Sequence, residues 1–320
     1  MDWQDQLISL YLYVCKCYQS DLWVYCQRMS NYADLRFSDE EVLTLFLFGI
    51  MDGHKELKKI HRYGQRYLLS FFPKLPSYTA FIQRINKVSD CFAPMISQLN
   101  QCASIGNKKT ALLIDAMPIV MAQRSRRYRA KVASELAHKN GYCATKKMHY
   151  YGVKLQVIGR ATHGGLPAPE YIGLTPANVG DRKAFDAISD ALHGEDIYAD
   201  KAYAKQESTT PFCLLTPVKK QKGQEYLDAA DQWMSTAIAK VRQPIESLFN
   251  WFEQKTGIQV ASKVRSYQGL MVHVFGRLAA AMWMLVGPYG KFTEIYVLIR
   301  IIGIMLFMKN TKRQHKDGIL

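Results

Sequence analysis

The sequence predicts an α/β protein in which an all-helical N-terminal domain precedes a mixed β-sheet flanked by helices. Three observations support this prediction. Apolar residues recur with a helical period up to about residue 105, short apolar or alternating runs typical of strands follow residue 108, and helical periodicity then returns. With 320 residues, of which 48% are hydrophobic, the chain is long enough to bury a large core, which excludes a disordered or low-complexity protein.

The N-terminal domain, residues 1–108, contains two predicted helices joined at Gly53. Ser38 and Glu41 fit a capping box at the start of the first helix. The second helix carries one basic stripe, formed by Lys55, Lys58, Lys59, Arg62 and Arg66. Two short helices of which the second is basic predict a helix-turn-helix that binds DNA. A solvated helix face is an equally good interpretation of the same stripe.

The second domain, residues 109–285, contains the predicted strands. They cover residues 110–120, 150–158, 170–179, 196–203 and 211–218, with a helix predicted at 181–192. The first connections suit antiparallel hairpins and the helical connection suits a parallel pair, which predicts a mixed sheet. Residues 286–320 form an unassigned apolar helical tail with a basic end; charged residues interrupt its apolar run, so we expect buried helices instead of a membrane span.

The charge of the chain is strongly positive. It has 42 Lys and Arg against 27 Asp and Glu, a formal net charge of +15, and most of the excess lies after residue 108. Such an excess favours a polyanionic partner, because neutralising phosphates releases condensed counterions. Nucleic acid is therefore the expected partner. An anionic membrane is the weaker alternative, because the basic residues do not follow one amphipathic helix.

The cysteines bear on the compartment. There are seven, without paired spacing, which argues against a secreted disulfide framework and for a reducing environment. We expect Cys15, Cys17 and Cys26 to be small buried hydrophobic residues. The first residues also lack a basic segment typical of a signal peptide. The sequence therefore predicts a cytoplasmic protein.

A basic insert lies between the first two predicted strands. Its basic residues are led by Arg124, Arg126, Arg127, Arg129 and Lys131, and Tyr128, Tyr142, Tyr150 and Tyr151 are interleaved with them or follow them. A basic segment with aromatic residues is suited to contact a phosphate backbone and to stack on unpaired bases. A solvated loop is the alternative, and the one-sided charge argues against it.

Three acidic residues form a candidate metal site. Asp115 and Asp200 each lie inside an apolar predicted strand, where a carboxylate needs a cation or a partner to offset its lost hydration. If the two strands are neighbours, both carboxylates meet at one edge of the sheet and can hold a hard divalent cation. We expect the third acid, Glu246, to arrive on a helix whose first turn contains Pro244. Arg242, one turn before Glu246, is placed to orient the carboxylate or to contact a phosphate. An apolar stripe would dock this helix, formed by Ile245, Leu248, Phe249 and Phe252.

Two lysines and the arginine before Glu246 are candidate phosphate ligands. Lys201 follows Asp200 directly, Lys154 lies on the adjacent predicted strand, and Arg242 lies one helical turn before Glu246. Ordinary surface lysines are an equally good interpretation of the first two.

Several ordered motifs carry a resemblance to a known family. These are the runs LLIDAMP, YYGVKLQ, LTPANVGD and IYADKAY, followed by an R-x-x-x-E helix and the run ASKVRSYQGL. In order and spacing, over about residues 108–285, they resemble the DDE transposases of bacterial insertion sequences. The run LPSYTAFIQRIN before them is also similar to the N-terminal part of that group.

The resemblance implies an RNase H-like catalytic domain. In it, Asp115, Asp200 and Glu246 would bind two Mg²⁺ ions, for which Mn²⁺ can substitute, and the reaction would be DNA cleavage at element ends followed by attack of the freed 3′-OH on target DNA. The partners implied are double-stranded DNA and further copies of the chain on that DNA, in a bacterial nucleoid and away from a membrane. The family's helix signature also has a Tyr and a Lys where this chain has Ala239 and Glu253, which leaves Lys255 as the nearest lysine.

Two other functions compete with this one. A metal-dependent nuclease of the same fold would cut DNA without joining it. A catalytically inactive copy would bind DNA alone, although the three acids retained in this sequence argue against that hypothesis.

Overall fold

The computed structural model describes residues 2–27, 35–104, 111–162, 164–189, 192, 196–204 and 212–287. The N-terminal region is helical in these residues. Its helices are α1 (Trp3–Ser20), α2 (Asp39–Met51), α3 (Leu57–Tyr67), α4 (Tyr78–Lys87) and α5 (Phe92–Ser104), with 3₁₀ turns at Leu22–Cys26 and Ser89–Cys91. The predicted capping box is confirmed: Ser38 Oγ accepts from the Glu41 N–H at 3.2 Å, and Glu41 accepts from the Ser38 N–H at 2.6 Å. Gly53, at φ +86°, supplies the left-handed residue that ends α2.

One mixed sheet follows the helices. Its strands are β1 (Leu112–Gln123), β2 (Asn140–Cys143), β3 (Met148–Arg160), β4 (Ala168–Pro176), β5 (Asp196–Tyr198) and β6 (Cys213–Leu215). β1 pairs antiparallel with β3, whose other edge carries β2 and β4, and β1 pairs parallel with β5, which pairs parallel with β6. The predicted mixed sheet and its sequence of antiparallel and parallel connections are confirmed.

The remaining helices are α6 (Asp181–Asp186), α7 (Ala229–Thr256), α8 (Tyr267–Met271) and α9 (Arg277–Val286), with a π-helical turn at Val272–Gly276 between the last two. One large apolar core joins α1, α2, α5, α7 and α9 to one face of the sheet, and a smaller core lies on the other face against α6. The odd-numbered β1 residues Leu113 and Met117 face the large core, and Leu112 and Ile114 face the small one. The division into domains at residues 108 and 285 stays a prediction.

Several predicted boundaries were wrong. The helix expected at 181–192 ends at Asp186, and the strand expected at 196–203 ends at Tyr198 and is followed by a 3₁₀ turn at Lys201–Tyr203. β2 was not predicted. The helix that carries Glu246 begins at Ala229, so Pro244 lies inside it and not in its first turn.

Two observations concern the apolar and the sulfur-containing residues. The stretch Tyr267–Val286 is long and apolar enough to span a membrane, but 78% of it is buried inside the fold, as in a core helix. The buried sulfurs of Cys26 and Cys91 contact each other as a pair, which the sequence did not indicate. The tail after residue 287 lies outside the described residues.

Candidate active site

Asp115 and Asp200 lie on neighbouring parallel strands. Asp115 is a β1 residue between buried apolar neighbours, and Asp200 follows β5 in an extended conformation at the start of the 3₁₀ turn Lys201–Tyr203. The pair of strands aligns Leu113 with Tyr198. The parallel pairing of β1 with β5 confirms that the two predicted strands are neighbours. If the alignment continued two residues beyond the observed pairs, Asp115 would lie opposite Asp200, so the meeting of the two carboxylates stays a prediction.

Glu246 reaches the same strand from α7. The predicted apolar stripe on this helix is buried, with Ile245, Leu248 and Phe252 fully inaccessible and Phe249 at 7% exposure. Because α7 packs on β1 through this stripe, its other face is turned outward and the Glu246 side chain keeps 51% exposure. The helix thus fixes where Glu246 lies and leaves its carboxylate open to solvent.

Arg242 joins two of the three acids. Its Nη1 donates to Asp115 Oδ2 at 2.8 Å, and its Nη2 donates to Glu246 Oε1 one helical turn further on. The second oxygen of Asp115 accepts from the Ala116 N–H at 2.8 Å. The guanidinium therefore supplies the positive charge between the carboxylates of β1 and α7.

The carboxylate of Asp115 is poorly hydrated. Burial raises the pKa of Asp115 to about 6, against the lowering effects of the Arg242 charge and the Ala116 N–H, and the charge of Glu246 raises it further. A carboxyl group whose pKa lies near 6 ionises more readily when a further cation is bound next to it. Asp115 is therefore suited to a cation in the site.

Tyr203 is a site residue that the sequence patterns did not reveal. It is buried at 1% exposure, its hydroxyl donates to Gln156 Oε1 at 3.3 Å, and its carbonyl accepts from Arg182 Nη1 at 2.8 Å. Burial raises the pKa of the Tyr203 hydroxyl, and nearby carboxylates add to the effect; these are Asp181, Asp115 and Asp200. Tyr203 therefore anchors the turn after Asp200 and remains a neutral donor. Its position in the run IYADKAY, three residues after Asp200, was the available signal.

The two lysines predicted to be phosphate ligands differ in their surroundings. Lys154 is 15% exposed, and its Nζ donates to Asp181 Oδ1 at 2.8 Å and to the Val179 carbonyl at 2.9 Å. Lys201 is exposed at the start of the 3₁₀ turn. A phosphate contact stays a prediction for both, and Lys154 would have to share its charge with Asp181.

The basic insert is a folded segment. It begins with a 3₁₀ turn at Arg124–Tyr128; Ala133 and Ala137 are buried in the large core, and the Tyr151 hydroxyl donates to the Val132 carbonyl at 3.0 Å. The basic side chains predicted to bind DNA lie on its surface: Arg124, Arg126, Arg129 and Lys131 are exposed and Arg127 is partly buried.

The aromatic residues around the insert divide into two groups. Tyr128 is 71% exposed and Tyr142 is 52% exposed, as base stacking requires. Tyr150 and Tyr151 are 1% and 4% exposed, so the predicted stacking by these two was wrong. Both lie on β3, where consecutive side chains point to opposite faces, and each is covered: Tyr151 by the large core and Tyr150 by a small cluster with Val120 and Ala177.

The basic stripe of the N-terminal region lies on α3. Lys55, Lys59 and Arg62 are exposed, and Glu56 pairs with Lys59 at 3.8 Å and with Lys263 at 2.5 Å. The stripe is thus a surface of mostly unneutralised positive charge next to α2. Its role as a DNA-binding helix stays a prediction.

The donor set fits a hard divalent cation in its chemistry. Asp115, Asp200 and Glu246 offer carboxylate oxygens, which Mg²⁺ prefers. As they stand, no three His, Cys, Asp or Glu side chains in the described part of the chain are grouped closely enough to hold a metal ion. Arg242 lies between two of the donors, so a cation there requires this side chain to change partners.

Comparison with known proteins identifies the family. The family model described as the transposase DDE domain matches residues 106–283, more than half of the chain and the whole span from Asp115 to Glu246. No curated protein and no solved structure gives a match. The mixed sheet flanked by helices is consistent with the RNase H-like architecture expected of such a domain. The chain therefore belongs to the DDE transposase family, whose members cleave and transpose DNA.

Proposed function

We propose that this protein cuts DNA at the ends of a mobile element and joins the freed 3′-OH to target DNA, with Asp115, Asp200 and Glu246 as the ligands of two divalent cations. One observation carries the proposal: the poorly hydrated carboxylate of Asp115 shares the Arg242 guanidinium with Glu246, on a strand that pairs with the strand preceding Asp200. Mg²⁺ is the expected ion, with Mn²⁺ as a substitute.

Each acid has a separate part in the proposed site. Asp115 and Asp200 belong to adjacent strands and would form the rigid side, because the sheet and the Tyr203 anchor fix their backbones. Glu246 would close the site from the exposed face of α7. When bound, the ions would activate the attacking oxygen and neutralise the charge that develops on the leaving oxygen.

Arg242 has a role of its own in the proposal. Its guanidinium now satisfies Asp115 and Glu246, so a cation that takes over these carboxylates would release it. A guanidinium presents paired N–H groups that match phosphate oxygens. Arg242 would then contact the DNA backbone next to the bond that is cut, together with Lys201.

The partners follow from the reaction. The substrates would be double-stranded DNA at the element ends and at the target, contacted by the basic insert, by Lys59 and Arg62 of α3 and by Lys55 just before that helix. We expect several copies of the chain to act together on paired ends, in the cytoplasm of a bacterial cell.

The test uses labelled duplexes taken from the DNA on both sides of the coding gene. The purified protein is incubated with these duplexes and a target plasmid in Mg²⁺, Mn²⁺ or EDTA, and cleaved and joined products are separated on gels. Joined products that require the divalent ion are the expected result. Cleavage without joining would favour the nuclease hypothesis, and DNA binding without any cleavage would favour the inactive copy.

A further inference from the structure

A pocket of about 420 Å³ lies at the end of β1 that is remote from Asp115. Its floor is apolar and includes Met121 and Val264, and three arginines line it. We call it the arginine pocket and define it by Arg126, Arg129 and Arg265. Its volume falls in the range of about 300–1,000 Å³ that is usual for binding sites.

The three arginines come from two separate parts of the sequence. Arg126 and Arg129 belong to the basic insert, and Arg265 belongs to the loop between α7 and α8. None of the described residues that line the pocket is acidic, and within the described ranges none of these guanidiniums forms an ion pair. Three uncompensated positive charges around one cavity favour an anionic occupant.

Both sides of the pocket are held in place. The loop that carries Arg265 is tied to β1, since the Val120 N–H donates to the Gln259 carbonyl at 2.7 Å and Val120 accepts from the Ala261 N–H at 2.8 Å. Arg265 Nη1 donates to the carbonyls of Ser262 at 2.9 Å and Val264 at 2.7 Å. The insert is fixed by the Tyr151 hydroxyl and by its buried alanines. The backbones that carry the three arginines, and the Arg265 side chain, are therefore held in place before any ligand arrives.

The position of the pocket on β1 relates it to the candidate active site. Met121 lies six positions after Asp115 on this strand, which corresponds to roughly 20 Å at about 3.3 Å per residue. For a duplex that runs along β1, this distance is roughly six base pairs, since B-form DNA rises about 3.4 Å per base pair.

We propose that the arginine pocket binds the sugar–phosphate backbone of duplex DNA at about six base pairs from the bond that is cut. The guanidiniums of Arg126, Arg129 and Arg265 contact phosphate oxygens, and the apolar floor contacts deoxyribose carbons. The position of the cut and the DNA contact of Arg126 and Arg129 rest on the proposed function. The contact of Arg265 does not, and it is tested by itself.

The primary variant is Arg126→Ala. Arg126 is exposed and its side chain has no hydrogen bond among the described residues, so the fold is retained. Binding of a fluorescently labelled duplex is measured by anisotropy as the salt concentration rises. The magnitude of the slope of log affinity against log salt is expected to fall by about 0.9 for each phosphate that the protein no longer neutralises.

The matched control is Lys183→Ala. It removes the same charge from α6, which packs on the opposite face of the sheet through Phe185. We expect the control to leave the slope unchanged. Equal changes of slope in Arg126→Ala and Lys183→Ala would overturn the proposal, since net charge alone would then explain both.

Arg265 separates a phosphate contact from a structural role. Arg265→Lys keeps the charge and is expected to keep the salt slope, whereas Arg265→Ala is expected to reduce the slope by the amount due to about one phosphate. Thermal unfolding of both variants shows whether the loop bonds matter for stability. An unchanged slope in Arg265→Ala, or a weakening seen with single-stranded but not duplex DNA, would overturn the proposal.

The distance is tested on the substrate. A single uncharged methylphosphonate is placed six base pairs from the cleaved bond or, as a control, on the opposite side of the duplex. Only the first position is expected to weaken binding. With that duplex, Arg126→Ala is expected to cause no further loss of affinity. Absence of cleavage would refute the proposed function while the salt slopes still decide the pocket. Cleavage with unchanged slopes would refute the pocket alone.

Discussion

The two ends of β1 carry charges of opposite sign, one neutralised by a neighbouring side chain and the other exposed to solvent. At one end, Asp115 is largely withdrawn from water and is neutralised within the protein by Arg242. At the other end, the arginine pocket and the basic insert leave their charges exposed and without carboxylate partners among the described residues. Burial makes a charge depend on its neighbours, whereas exposure leaves it available to a partner from solution. The two ends should therefore respond differently to substitution, pH and salt.

The largest expected effect is on catalysis at the buried end. Asp115→Asn keeps the shape of the side chain and removes its charge, so we expect DNA cleavage in Mg²⁺ to fall by at least about a hundredfold, the order found when an electrostatic catalytic group is removed. The free energy of unfolding should stay within about 1 kcal/mol, because the lost hydrogen bond is offset by relief of the desolvation that raises the pKa of Asp115.

Gel assays of cleavage, paired with urea unfolding and duplex-binding measurements, check this prediction. Asp228→Asn, at an exposed position before α7, is the matched control and should cleave like the unsubstituted protein. Full activity in Asp115→Asn would remove β1 from the candidate site.

The second effect is on stability at the same end. Arg242→Ala leaves Asp115 with the Ala116 N–H as its remaining bond, and we expect it to lower the free energy of unfolding by about 2 kcal/mol at neutral pH. Lys240→Ala, on an exposed position of the same helix, should change it by less than about 0.5 kcal/mol. Urea unfolding measures both. Equal destabilisation by the two variants would show that Asp115 does not depend on its guanidinium partner.

The sequence predicted the buried end better than the exposed one. Asp115 and Asp200 were recognisable because apolar strands surround them, and the stripe from Ile245 to Phe252 revealed how Glu246 is carried. The start of α7 was missed, although Met234, Ile238 and Val241 continue the helical spacing of the stripe towards the N-terminus. Among the described residues before Pro244 in this helix, Ile238 alone is buried. Pro244 was therefore taken for a first-turn residue. A proline inside a helix leaves one carbonyl without its helical hydrogen bond, and here that carbonyl lies on an exposed turn where water can bind it.

The arginine pocket was not predictable from the chain. Arg126 and Arg265 lie far apart in sequence, and the contact that brings them together is the backbone bridge between Val120 and Val260. In the sequence, nothing distinguishes Val120 or Val260 from any other valine, so the two cannot be recognised as partners. Likewise, the alternation on β3 could not show that Tyr150 and Tyr151 are both buried. Tyr151 packs in the large core, and Tyr150 packs with Val120 and Ala177, so each is covered by residues distant in sequence. Sequence patterns report local burial, and the pocket depends on long-range pairing.

His273, a partly buried histidine on the π-helical turn, tests whether removal from water shifts a charge equilibrium as it does at Asp115. Burial lowers the pKa of His273 to about 3, the positive charge of Arg277 acts in the same direction, and a hydrogen bond from His273 Nε2 to the Ile258 carbonyl at 2.9 Å opposes them. The folded protein thus keeps His273 neutral, while the unfolded chain protonates it below about pH 6.5. Stability should therefore fall as the pH decreases from about 6.5 towards 3.

The expected loss is about 1.4 kcal/mol at pH 5.5, one pH unit below the unfolded pKa. Urea unfolding between pH 7.5 and about pH 5 measures it. His273→Gln keeps an N–H donor for the Ile258 carbonyl and cannot ionise, so its stability should depend less on pH by this amount. Identical pH profiles for the two proteins would show that His273 is not shielded from protons.

The smallest expected effect is at the exposed end of β1. There, a substitution is expected to keep or raise the free energy of unfolding, whereas substitution of a buried charged group lowers it. Arg124 begins the insert with a φ of +51°, a left-handed conformation that glycine adopts without strain. Arg124→Gly should therefore leave the free energy of unfolding unchanged or raise it by up to about 1 kcal/mol. Its affinity for duplex DNA should fall by about threefold at low salt, because one exposed charge is lost, and this difference should disappear at high salt. Anisotropy and urea unfolding measure the two quantities, and Arg124→Lys, which keeps the charge and the backbone strain, should match the unsubstituted protein in both. A loss of stability in Arg124→Gly would mean that the arginine side chain stabilises the insert. Arg124 would then not be an exposed charge available to a ligand, and the contrast between the two ends of β1 would not apply to it.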